Sequence, residues 1–231
     1  MNEETTGFVV HIGSLTIGSA VITTWLIMLG FASLALVLRL SGYQKKSSSL
    51  QNALEAVFVI IEAAVAEVVP ATAVRQVLPF VATLWLFVLV ANLVGLLPEM
   101  HAPTQDLSAT AALAALVFLS THWYGMRAHG LGGHFKHYCQ PSIILLPFHI
   151  ISEITRTLAL AIRLFGNMMS LEMAALLVLL IAGFLVPVPL LMLHVVEAVI
   201  QAYIFGMLAL IYIAGALESS EPDSANREEN L

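Results

Sequence analysis

The chain has 231 residues, 59% of them hydrophobic and only 10% charged, against roughly 25% charged in soluble domains, and its mean hydropathy is +0.92. That composition excludes a water-soluble catalytic domain and defines an integral membrane protein. The formal net charge of −6 owes much to the C-terminus, where Glu218, Glu221, Asp223, Glu228 and Glu229 stand against Arg227 alone. No basic patch points to nucleic acid, and the single Cys139 leaves neither an intramolecular disulfide nor a thiolate cluster for metal.

In chain order, Met1-Asn-Glu-Glu-Thr-Thr lacks the positive start of a cleaved signal, so the first apolar run is expected to stay in the chain, and residues 1–16 before it read as an N-terminus that the lysine and arginine pattern places outside. A first span is expected over 17–40, closing at Arg39, Lys45 and Lys46. Residues 50–69 carry Glu55, Glu62 and Glu67 broadly on one face, the pattern of an amphipathic helix at the interface or packed on the bundle. Pro70 and Arg75 close that segment, and a second span follows over 77–97. The acidic stretch Glu99–Asp106 reads as a turn region around Pro103, and Asp106 with Ser108 suits the start of the next helix, a third span over 107–126. The Gly/His-rich run from Ala128 to His137 reads as a loop, its His129, His134 and His137 as ordinary polar residues and not a metal site. A long apolar stretch, 142–186, leads through a hairpin at Pro187–Pro189 to a last helix over 190–217. Residues 218–231 read as a solvated, disordered cytoplasmic tail.

The fold class expected is therefore an all-α integral membrane protein, one membrane domain with five transmembrane passes plus one amphipathic helix. Lysine and arginine fix its orientation. Arg39, Lys45, Lys46, Arg75, Arg127 and Lys136 fall on one side, whereas the N-terminus, the Glu99–Asp106 loop and the proline hairpin contain no lysine or arginine. This pattern places the N-terminus outside and the C-terminus in the cytoplasm.

The long stretch holds the unusual chemistry. As one helix it would extend roughly 60 Å, about twice the bilayer core, so it is expected to tilt strongly, break or reach into water. Glu153, Arg156, Arg163, Asn167 and Ser170 share one face at helical spacing, and Glu172 points the opposite way. An arginine in hydrocarbon costs at least about 2.5–3.5 kcal/mol and marks a functional position. For Arg156 the obvious partner is Glu153, three residues earlier. His194, Glu197 and Gln201 line one face of the last helix, but pairing outward from the hairpin does not bring Arg163 level with Gln201. Glu172 and His194 lie nearer each other in depth. Carboxylate and imidazole relay protons inside a membrane, whereas a guanidinium stays protonated and acts as a barrier and an attractor for carboxylates.

Arg163-Leu-Phe-Gly-Asn167-Met, preceded by Leu158-Ala-Leu-Ala-Ile and followed by Glu172, resembles the signature of subunit a of F-type ATP synthases. The similarity extends to Gln201-Ala-Tyr-Ile-Phe-Gly-Met-Leu, to Leu96-Leu-Pro98 and to Pro103-Thr-Gln-Asp106-Leu, and so covers most of the chain in order. The resemblance implies the ion-translocating stator subunit of a rotary ATP synthase in a bacterial inner membrane. It implies two long, tilted helices set against a c-ring, with peripheral-stalk b subunits as further partners, and no cofactor, metal or nucleotide chemistry in this chain. Arg163 would face the c-ring carboxylate and separate two half-channels; Asn167, Glu172, His194 and Gln201 would lie in the outer half-channel or beside the arginine. Departures from the family pattern are Thr155-Arg156-Thr157, where a proline is common, and the extra carboxylate Glu197. They suggest a divergent bacterial type and leave the coupling ion open between H⁺ and Na⁺.

Two other classes stand beside this one. A self-contained transporter would show a repeated half, and the chain has none. A membrane-embedded metal hydrolase built on His194-x-x-Glu197 needs a third ligand, and the spans do not offer it.

Overall fold

A computed structural model describes residues 10–12, 15–41, 49–97, 100, 102–138, 146–182 and 187–218. The acidic tail beyond Glu218, Lys45 and Lys46, and Glu99 lie outside these. The chain forms strands β1 (Val10–Ile12) and β2 (Leu15–Ile17) and helices α1 (Ser19–Ser41), α2 (Ser49–Val68), α3 (Ala71–Val94), α4 (Leu107–Tyr138), α5 (Leu146–Ala182) and α6 (Pro187–Glu218). A 3-10 turn over Pro103–Gln105 precedes α4. Among the described residues the architecture is all-α apart from the small antiparallel hairpin, which pairs Val10 with Ile17 and Ile12 with Leu15.

Five helices, α1, α3, α4, α5 and α6, are long and apolar enough to cross a membrane. The remaining helix, α2, is amphipathic and packs on the bundle through Ile61 and Val65, with Glu55, Glu62 and Glu67 exposed. Hydroxyl groups within the spans are satisfied locally: Thr23, Thr83, Thr121 and Thr157 each donate to the carbonyl four residues back. Without water nearby, a side chain that bonds its own helix removes a cost of several kcal/mol per open group.

Helix α6 is the centre of the core. Ala202, Phe205, Ala209 and Ile213 are buried against Val81 and Val88 of α3 and Leu160 and Leu164 of α5. Small residues let the backbones approach. At Gly206 the approach is closest, since a Cβ there would stand 2.9 Å from the Trp85 ring. One end of the bundle brings together the start of α3, the latter part of α4 and the end of α6. Tyr124 donates a 3.1 Å hydrogen bond to the Gln76 carbonyl, beside a crevice that Arg127 and Leu217 help to line. At the other end Thr23 and Ile27 of α1 meet Val90 and Val94 of α3.

Several expectations need correction. The Gly/His-rich run is not a loop: helix continues to Tyr138, interrupted at Gly130, whose φ of 73° only glycine adopts freely. The proline pair is not the hairpin but the first turn of α6. Pro187 opens that helix, where its missing N–H has no intrahelical partner to lose, and the connection falls in residues 183–186, outside those described. Arg75 lies within α3 and does not precede it. Asp106 does cap α4, its Oδ1 accepting from the Ser108 amide at 2.8 Å.

Candidate functional site

Helix α5 runs unbroken for 37 residues, about 55 Å, and its length needs no interruption. Leu160, Leu164 and Met168 form its buried stripe. The opposite face is uncovered: Ile162, Met169 and Met173 are exposed, and a side chain at Gly166 would meet nothing within 4 Å. Arg163 stands at the edge of that open face, exposed, and among the described residues its guanidinium has no hydrogen-bond or ion-pair partner.

Beyond this apolar packing, two polar side-chain contacts join α5 to α6 among the described residues. Asn167 Nδ2 donates to Gln201 Oε1 at 2.7 Å, and the Arg156 guanidinium stacks 4.7 Å over the Tyr212 ring. Eleven residues along each helix separate these contacts, so the pair is antiparallel in one constant register. In that register Arg163 is level with Phe205, one turn past Gln201. Pairing outward from Pro187–Pro189 overstates the offset between Arg163 and Gln201: because the prolines belong to α6, the two differ by only one turn, and it is Asn167 that meets the glutamine. Glu172 is level with the Val196–Glu197 turn, and His194 lies about one turn nearer the connection.

Gln201 is 1% exposed and His194 6%, so both amide and imidazole are committed to the interior. His194 does not bond Glu172 among the described residues. Its Nε2 lies 3.4 Å from the Asn92 carbonyl oxygen of α3, and a carbonyl only accepts, so that nitrogen carries the proton in this contact. Asn92 in turn reaches the Ala198 carbonyl at 3.5 Å. Among the described residues, Asn92 Oδ1 and Gln201 Nε2 are buried without a hydrogen-bond partner. Unpaired buried groups of this kind cost about 1–3 kcal/mol each unless water serves them. Glu172 and Glu197 are half-buried.

Sequence reasoning does not single out Asn92. Its signal is a lone amide inside the apolar run before Leu96-Leu-Pro98, and the Asn167–Gln201 pairing is likewise invisible without the helix register. For Arg156 the expected Glu153 pairing gives way to the Tyr212 stack, while Glu153 Oε1 faces His122 Nε2 of α4 at 3.5 Å. Among the described residues no three His, Cys, Asp or Glu side chains gather as a metal site.

The geometry defines a multi-pass helical membrane protein whose rare polar groups converge on its last two helices, at a fixed arginine beside an open apolar face. Residues 21–214 match the ATP synthase A chain family. Similar proteins include ATP synthase subunit a 2 of Pelobacter propionicus, 58% identical over 98% of both chains. ATP synthase subunit a 1 of Hahella chejuensis is 60% identical over 91% of this chain and 88% of its own. The subunit a of Legionella pneumophila is 53% identical over 96% of each. The chain belongs to this family, that of ATP synthase subunit a, the ion-translocating stator subunit of the Fo sector, which works in a complex with other Fo subunits.

Proposed function

We propose that Arg163 separates two half-channels that meet a rotating c-ring along the open face of α5, with Asn167, Glu172, His194, Glu197 and Gln201 on the outer path. The observation that carries this reading is the Asn167–Gln201 bond one turn from an exposed, unpaired arginine. That bond fixes α6 against α5 and leaves the guanidinium projecting from a held helix. A ring carboxylate that has lost its ion is drawn to a cation that cannot deprotonate, and direct leakage past that cation is blocked. The two long helices are set obliquely in the membrane, which accommodates about 55 Å of α5 in a core of about 30 Å.

The outer path enters near the α5–α6 connection. Glu172 and Glu197 are level, His194 is a turn further out, and the unserved Asn92 Oδ1 and Gln201 Nε2 are the groups that water would bridge. The bacterial relatives support the inner membrane of a bacterium as the location, and the lysine and arginine distribution supports an N-terminus outside and a C-terminus in the cytoplasm. Peripheral-stalk b subunits are the remaining partners, and the ion is H⁺ or Na⁺.

Thiol labelling tests the path. In a Cys139→Ser background, cysteines at Ser170, Glu172 and Met192 should react with an impermeant reagent added outside. Reaction only from the cytoplasmic face would assign these residues to the other half-channel. Sodium protection without potassium protection would identify Na⁺ as the ion.

A further inference from the structure

The ion path has a titratable group that the outer residues leave unexplained. Glu153 lies ten residues before Arg163 on α5 and Glu172 nine after it, about 15 Å and 13 Å along the axis. The two carboxylates thus flank the arginine almost symmetrically, about 28 Å apart, close to the thickness of the hydrocarbon core. Glu153 does not stand alone. His122 of α4 presents Nε2 to its Oε1 at 3.5 Å, and the two side chains keep 25% and 20% of their surface accessible.

The imidazole of His122 is contacted at both ring nitrogens. His122 Nδ1 is 2.9 Å from the Phe118 carbonyl oxygen, which only accepts, so Nδ1 carries a proton. In the neutral ring Nε2 is then a lone pair aimed at a carboxylate oxygen, and two acceptors face each other. A single proton, on Nε2 or on Oε1, turns that opposition into attraction. The 3.5 Å contact is one that a single proton placed between the two groups would stabilise. The crevice beside them is lined by Thr121, Glu153, Arg156, Thr157 and Tyr212, with a volume of about 10 Å³, near the lower limit for one water. Arg156, held over Tyr212, supplies a fixed positive charge there, and His149 lies one turn earlier on α5 at an exposed position.

We propose that His122, acting with Glu153, is a proton station on the inner half-channel, on the opposite side of Arg163 from Glu172 and His194. The inference rests on the reading of Arg163 as the divider. The pair takes one proton from the ring side and releases it to water at the N-terminal end of α5; only N–H and O–H bonds change. A purely structural clamp between α4 and α5 would need the contact but not the proton.

The test uses membrane vesicles carrying the whole complex. Glu153→Gln and His122→Gln keep size and hydrogen bonding but remove titration. Each is expected to lower ATP-driven proton pumping about tenfold or more, with assembly intact on native gels, and to move the dependence of flow on cytoplasmic pH while the dependence on outside pH stays put. Exchanging the two residues, His122→Glu with Glu153→His, should conduct better than either single change. Assembled variants with native flow and native pH dependence would overturn the proposal, as would flow that follows Na⁺ and ignores pH. If the substitutions block assembly, labelling decides: Thr121→Cys and Thr157→Cys, with Cys139→Ser, should react from the cytoplasmic side only, and reaction from outside or none at all refutes an inner path here. Arg163→Ala is the control. Normal coupling in that variant removes the divider itself, whereas lost coupling there with native flow in the Glu153 and His122 variants refutes only this pair.

Discussion

Asn167 and Gln201, on antiparallel helices and 34 positions apart in sequence, are joined by a 2.7 Å hydrogen bond, and Arg163 projects one turn away from that bond. Amide pairs between membrane helices contribute modestly, about 0.6 kcal/mol on average and up to about 2. Its larger consequence is geometric, because it sets the register in which Arg163 is level with Phe205.

Replacing one partner should harm more than exchanging both. Asn167→Leu leaves the buried Gln201 amide with both its oxygen and its nitrogen unserved, since Nε2 has no partner even in the native chain. Gln201→Leu leaves Asn167 unserved in turn. The reciprocal exchange, Asn167→Gln with Gln201→Asn, should recover most of the lost thermal stability of the complex and part of its ion flow. Equal damage from single and double variants would show that the two amides act independently.

Gly206→Ala should destabilise the subunit through overpacking. The added methyl would lie 2.9 Å from a Trp85 ring carbon, with two further ring carbons within 3.2 Å. Trp85 is also packed on Tyr203, with ring centroids 5.3 Å apart, so it has little freedom to retreat. A cost of about 1–3 kcal/mol is expected, read as a lower unfolding temperature of the purified complex. Trp85→Leu in the same chain should restore part of it.

Asn92 gives an expectation that sequence alone does not supply. Asn92→Leu removes a buried amide and its 3.5 Å contact to the Ala198 carbonyl, leaving the backbone contact to His194 in place. Ion flow should fall several-fold with assembly retained, because the buried oxygen that would hold a bridging water on the proposed outer path is lost. Unchanged flow would remove Asn92 from the outer path.

Reporter fusions test the orientation. Fusions after Lys46, Arg127 and Leu231 should read cytoplasmic, and one near His101 external. A cytoplasmic reading at His101 would reverse both half-channels.

Much of this architecture is legible in the amino-acid sequence. Apolar run lengths mark the five passes, and the three acids of residues 50–69 distinguish α2 from a span. Local spacing places Arg163, Asn167 and Ser170 on one face, because a helix face depends only on its own sequence. Partners across helices are not legible. Glu153 looks like the partner of Arg156 because three residues is helical reach, yet Tyr212, 56 positions away, holds the guanidinium. Asn167 and Gln201 need a register that no periodicity supplies. The Ala128–His137 run resembles a loop because glycines signal loops on average, whereas here only Gly130 leaves helical geometry. Pro187 is ambiguous in a similar way, since a proline both breaks helices and starts them.

The central claim is that Arg163 divides two ion paths, and the most direct measurement is ATP synthesis in vesicles driven by an imposed ion gradient, with assembly checked on native gels. Arg163→Ala should assemble and lose coupled synthesis. Arg163→Lys should fail as well, because an ammonium lacks the planar fork and gives up its proton when desolvated. Near-native synthesis in an assembled Arg163→Ala complex would contradict the account.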